Sequence, residues 1–138
     1  RKRSRRDIME EITADISWIA VIVGTILAMG FGFVMFDPKR ATGKIWAEGV
    51  GVGLTPPDKF PALAMGLNTL GLLGMSWFVA VTAKSDALLT VILATASFAL
   101  LMGAHAMFSG AKKGAVAVTI SYWLISLLVM ILCQGILG

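Results

Sequence analysis

His105 is the only histidine in the chain and Cys133 the only cysteine. A lone imidazole can serve as a proton carrier, as an axial ligand to a macrocycle, or as a hydrogen-bonding node. A bis-histidine haem within one chain needs a second histidine and is excluded. Cys133 lies deep in the last apolar stretch, toward the opposite face from His105, so a Cys–His nucleophile has no base to activate it. None of the uncharged stretches contains a carboxylate, which removes the membrane-embedded acid that a proton-coupled exporter requires. The sequence holds no phosphate loop, no metal-spaced cluster and no paired acids. No enzyme and no metal site are expected.

What His105 can do depends on its solvent. The chain has 138 residues, of which 57% are hydrophobic and 14% charged, against about 25% charged in soluble domains. Four stretches carry no formal charge: Ile16 to Phe36, Phe60 to Ala83, Ala87 to Ala111 and Gly114 to Gly138. Each reaches the roughly 20 apolar residues that a helix needs to cross a bilayer. The fold class is therefore all-α integral membrane: four transmembrane helices over about 16–36, 60–83, 87–110 and 114–137, in one domain. The first stretch is not read as a cleavable signal, because its apolar run is too long and no small-residue site follows "DPKR".

Within that frame His105, Asn68, Ser121 and Tyr122 all fall about 9–12 Å below one boundary, at ~1.5 Å per residue. They are expected to form a polar intramembrane cluster across three helices, because polar groups in hydrocarbon need partners. Two roles stay open for His105. Asn68 and Tyr122 could satisfy both ring nitrogens in an internal clamp. Alternatively, His105 could ligate a chlorophyll or haem at an interface with a partner, helped by the small neighbours Gly103, Ala104 and Ala106.

Small residues mark the expected packing faces. Ala20, Gly24, Ala28 and Gly32 recur every four positions in the first span. Ala96, Ala99, Gly103, Ala106 and Gly110 alternate three and four in the third. Such ridges let membrane helices approach closely enough for dispersion contacts to hold them.

The connecting elements follow from local chemistry. Ser4 and Asp7 read as a variant capping box. Ile8, Ile12 and Ile16 then share one helical face, an amphipathic interfacial lead-in that continues into the first span. Residues 37–59 form the longest connection, glycine-rich, with Trp46 placed as a headgroup-level anchor. Asp58 is the better N-cap for the second span, since Pro61 then falls in the first turn. The turns at Lys84–Asp86 and Ala111–Gly114 are short, so consecutive spans are antiparallel neighbours and both termini lie on one side. Six basic residues on each side cancel the positive-inside bias. The basic run Arg1–Arg6 suits anionic lipid headgroups. It has no interleaved aromatics, so nucleic acid is not expected as a partner.

Two segments carry a resemblance. "GFVMFDPKRATGKIW" (Gly32 to Trp46) and "ISYWLISLLVMILCQGILG" (Ile120 to Gly138) resemble the family called domain of unknown function 1761. In that family the first span begins near a tryptophan and ends in a glycine, an aromatic pair and a proline; a glycine and a tryptophan follow in the loop. Gly32, Phe36, Pro38, Gly43 and Trp46 fit that pattern, and Tyr122 fits the aromatic of the last span. Met35 and Phe36 stand where a Trp-Tyr pair is usual, so an indole N–H and a phenol are missing. The resemblance implies a four-span membrane protein and brings no established activity.

The expected function is that of a non-catalytic accessory or scaffold subunit in a larger membrane complex, respiratory or photosynthetic. Its partners would be membrane lipids and the other subunits. The alternative is a small homo-oligomeric carrier or channel for a small solute, its path lined by Asn68, Ser76, Thr95, His105 and Ser121. Either an organelle membrane (plastid thylakoid or mitochondrial inner) or a bacterial inner membrane would house it.

Overall fold

The computed structural model describes residues 5–37, 39–51 and 62–138. Among these described residues six helices follow in chain order: α1 (Arg5–Thr13), α2 (Trp18–Met35), α3 (Ala41–Val50), α4 (Ala62–Lys84), α5 (Leu88–Phe108) and α6 (Lys113–Leu137). Of these, α2, α4, α5 and α6 are long and apolar enough to cross a membrane, with mean hydropathies of 2.2, 1.5, 1.9 and 2.4 over their most apolar windows. The first capping box and the Asp58/Pro61 helix start involve residues outside those described.

The up-down order is fixed at both ends by hydrogen bonds. At the terminal end the Ser17 hydroxyl donates to the Leu137 carbonyl at 3.0 Å, tying the start of α2 to the end of α6. The same oxygen accepts from the Ala20 N–H at 3.4 Å and so caps α2. At the other end the Lys112 N–H donates to the Gly49 carbonyl at 2.9 Å, tying α3 to the start of α6.

The core forms around α6, which touches α2, α3, α4 and α5, whereas α2 and α5 do not meet. It is the most buried span, with 39% of its most apolar window inside, against 22% for α4 and for α5. On α2 the buried line is Ala20, Gly24, Ala28 and Gly32. A Cβ at Gly24 would stand 2.9 Å from Ser76 Oγ, and that hydroxyl donates to the Val21 carbonyl at 2.8 Å. On α5 the buried line is Val91, Thr95, Ala99 and Gly103. Ala106 is half-buried, and Gly110 is exposed beyond the helix end. The α5 packing face therefore keeps a strict four-residue step instead of turning toward Ala106 and Gly110.

Two connections differ from the sequence expectation. The amphipathic lead-in does not run on into the first span. It stops at Asp15, whose φ of 59° is left-handed, and α1 becomes a separate helix with Ile8, Met9 and Ile12 exposed. Its last carbonyls have no intrahelical donors, and α4 supplies them. The Trp77 indole donates to Ile12 O at 2.6 Å and the Lys84 ammonium to Ala14 O at 2.6 Å. The cation also sits at the negative end of the α1 dipole.

The long connection is not all loop. It contains α3, whose Gly43, Ala47 and Gly49 are buried and which lies against the first turns of α6. The Thr42 hydroxyl donates to the Met35 carbonyl at 2.6 Å. The Lys39 N–H donates to the Asp37 carboxylate at 3.0 Å. Glycines that read as loop punctuation here permit close packing.

Candidate functional site: two cavities with a common polar wall

The residues of the "GFVMFDPKRATGKIW" segment and of α6 converge on Tyr122. Its side chain is 4% exposed, and its hydroxyl donates to the Ala28 carbonyl of α2 at 3.0 Å. Gly32 makes this approach possible, because a Cβ there would lie 3.0–3.2 Å from the phenol oxygen and two ring carbons. Phe36 packs edge-on to Tyr122, centroids 5.3 Å apart, and edge-on to Trp46 at 5.2 Å. One aromatic chain thus runs from α3 through the end of α2 to α6.

On either side of Tyr122 the helices leave space. A cavity of about 820 Å³ opens between α4, α5 and α6; Asn68, Gly71, Met75, Thr95, Phe98 and Ser126 are among its walls. A second, of about 590 Å³, lies between α2, α3, α4 and α6, bordered by Phe36, Asp37, Trp46 and Met65 among others. Asn68, Tyr122 and Trp123 belong to both walls. The larger space exists because α4 and α5, joined by the tight Ser85–Ala87 turn, touch each other least of the adjacent spans.

The polar groups on these walls are poorly satisfied. Ser126 and Asn68 are polar neighbours of the Tyr122 hydroxyl, whose single proton is used on Ala28. Ser126 Oγ is buried and closes no hydrogen bond of good geometry. Hydroxyls elsewhere in the bundle bond the carbonyl one turn back, as Thr25, Thr69, Ser97 and Thr119 do.

The structure divides the four residues expected to cluster. Asn68 and Tyr122 come together, while His105 and Ser121 border neither cavity and are exposed. The His105 ring packs edge-on to Phe108, centroids 6.3 Å apart. The internal clamp on both ring nitrogens is therefore not formed. The reason is register: Gly103 faces α6, where a Cβ would meet Val116 and Ile120. Two residues on, at about 100° each, His105 points away. A macrocycle ligated there would sit on the outer surface, with no enclosed site among the described residues. Of the five side chains expected along a carrier path, Asn68 and Thr95 line the larger cavity. Ser76 is committed to Val21, and His105 and Ser121 lie outside. Among the described residues no group of three or more His, Cys, Asp or Glu could hold a metal ion.

Ser126 and the pair Gly71 and Gly74 were not singled out in the sequence. The available signal was spacing, since Tyr122 and Ser126 are one turn apart on the same face of α6.

These features define a small multi-pass helical membrane protein with a polar wall between two intramembrane cavities. The chain belongs to the DUF1761 family (protein of unknown function), whose family model matches residues 19–135. No match was found among curated proteins or among solved structures.

Proposed function

We propose that the protein is a non-catalytic accessory subunit of a larger membrane assembly. The observation that carries this reading is the outward placement of His105 and Ser121 on membrane-spanning helices. Neither has a hydrogen-bond partner among the described residues. An unpaired imidazole or hydroxyl in hydrocarbon costs several kcal/mol, and polar groups on another subunit would remove that cost. Purification in mild detergent tests it. A stoichiometric partner that is lost in a double variant, His105→Leu with Ser121→Ala, is the expected result. Isolation solely as a monomer or homodimer would refute it.

The narrower form of the reading is a respiratory or photosynthetic assembly, with a haem or chlorophyll held at His105 between subunits. An absorption band of the purified assembly that disappears in His105→Ala is its signature. An unchanged spectrum removes it.

A second reading, a homo-oligomeric carrier, is favoured by the shared wall of the two cavities, since Asn68 borders both the lipid-side space and the one near Asp37. Solute flux in reconstituted vesicles that falls in Asn68→Leu supports it. Absence of flux for ions and small amphiphiles excludes it.

A further inference from the structure

The geometry points to the space between α4, α5 and α6 as a binding site for a neutral membrane lipophile that presents a carbonyl oxygen to Ser126 and Thr95. This holds whether the chain is a subunit or a carrier.

Size comes first. About 820 Å³ falls within the roughly 300–1,000 Å³ of ordinary small-ligand sites. The volume is also kept open by the sequence. Gly71 and Gly74 face it, and a Cβ at either would meet no atom within 4 Å. Unlike Gly24, Gly32 and Gly103, these glycines serve no helix contact. In a helix interior each costs about 1 kcal/mol relative to alanine. What they provide is room.

Chemistry comes next. Ser126 is 0% exposed, with an unpartnered hydroxyl, and Thr95 is 8% exposed, with no bond to its own helix. Both hydroxyls can donate, so a ligand with only acceptor oxygens satisfies them. No Asp, Glu, Lys or Arg among the described residues borders the space, and a charged ligand would be stranded in hydrocarbon. The remaining wall is apolar, aromatic and thioether-rich, with Met75, Phe78, Phe98 and Met102. Methionine adapts to irregular or flat partners. The entrance faces the lipid, since Leu67 and Phe98 at its rim are exposed. A ligand partitioned into the bilayer enters sideways.

One carbonyl chemistry has two sources in a membrane, a ring ketone such as an alkylated quinone and the ester of an acyl lipid. The test uses the full chain in phosphatidylcholine nanodiscs with two photoreactive probes, a diazirine-bearing alkyl benzoquinone and a diazirine-bearing monoacylglycerol. Labelling of residues 67–78, 94–102 and 122–126, competed by the unlabelled parent compound, is expected for at least one probe, and the one competed identifies the source. The pair Thr95→Val and Ser126→Ala should weaken binding roughly tenfold, the loss of two neutral hydrogen bonds. Gly71→Leu, whose Cβ meets no atom within 4 Å and which improves helix propensity, should fill the space and abolish labelling while the bundle melts no lower. Label spread evenly over the outer faces overturns the proposal. So does wild-type binding by the Thr95/Ser126 pair or by Gly71→Leu, or crosslinking of this space to another polypeptide in place of the probes.

Discussion

The Tyr122 ring lies against Gly32 so closely that a Cβ on the glycine would stand 3.0 Å from the phenol oxygen and 3.1–3.2 Å from two ring carbons. The contact lets a side chain of α6 reach the Ala28 carbonyl one turn back on α2. The glycine and the tyrosine therefore act as one packing unit. Gly32→Ala should destabilise the bundle by about 1–3 kcal/mol, because a ring cannot yield as a flexible side chain does. In a Tyr122→Leu background the same change should cost much less, a non-additivity that a double-mutant cycle in detergent unfolding would reveal. Additive costs would mean that the two residues do not share this contact.

Tyr122→Phe isolates the hydrogen bond. Interhelical bonds of this kind contribute about 0.6 kcal/mol, with an upper end near 2. A loss in that range is expected, with labelling of the α4–α5–α6 cavity unchanged, because the Tyr122 proton points to α2 and away from any ligand. Loss of labelling in this variant would give Tyr122 a direct part in binding.

How far the sequence discloses this arrangement depends on the kind of signal. Runs without charge identify the four spans, because length and hydropathy are properties of a whole segment. The α2 ridge is legible because one repeat, Ala20 to Gly32, fits a single face. The α5 face is less so, since Ala99 and Gly103 fit two continuations, through Ala106 or back through Thr95. Only contact with Val116 and Ile120 on α6 selects the second. That choice also turns His105 outward. α3 is hidden because Gly43 and Gly49 have the local signature of loop, while their use is set by distant atoms: the Asp37 carbonyl and Ala115. The larger cavity is a divergence of two helices, and no local pattern encodes divergence.

The dock of α3 gives a direct test of that point. A Cβ at Gly49 would collide with the Ala115 side chain and stand 3.1 Å from its backbone nitrogen. Gly49→Val should lift α3 from α6 and break the Lys112–Gly49 bond. Spin labels at Glu48 and Lys113 should then separate and broaden in distance distribution, while the four spans remain helical by circular dichroism. An unaltered distance would show that α3 is not seated on Ala115.

At the terminal end, Lys84 and Trp77 hold α1 through its last carbonyls. Lys84→Met with Trp77→Phe should leave those carbonyls to water or headgroups and free the helix. Amide exchange over residues 5–14 should accelerate by an order of magnitude or more, equivalent to about 1.4 kcal/mol of lost protection. The spans should exchange as before. Unchanged protection of α1 would mean that the interface alone holds it.

Two positions on α5, only two residues apart, separate packing from partner contact. Gly103 is buried against α6, where a Cβ would lie 2.9 Å from Val116 and 3.1 Å from Ile120. Gly103→Leu should therefore force α5 off α6 and lower the melting temperature in detergent, a loss of about 1–3 kcal/mol for overpacking. His105 is exposed and touches only Phe108 among the ring contacts, so His105→Ala should change stability by no more than about 0.5 kcal/mol. Among the described residues no group hydrogen-bonds the imidazole. If the subunit reading holds, the order reverses in the assembly: His105→Ala folds normally yet loses its partner, because the imidazole's hydrogen-bond mates lie outside this chain. Equal destabilisation by both variants in the isolated protein would place His105 inside the bundle and return the internal clamp to consideration.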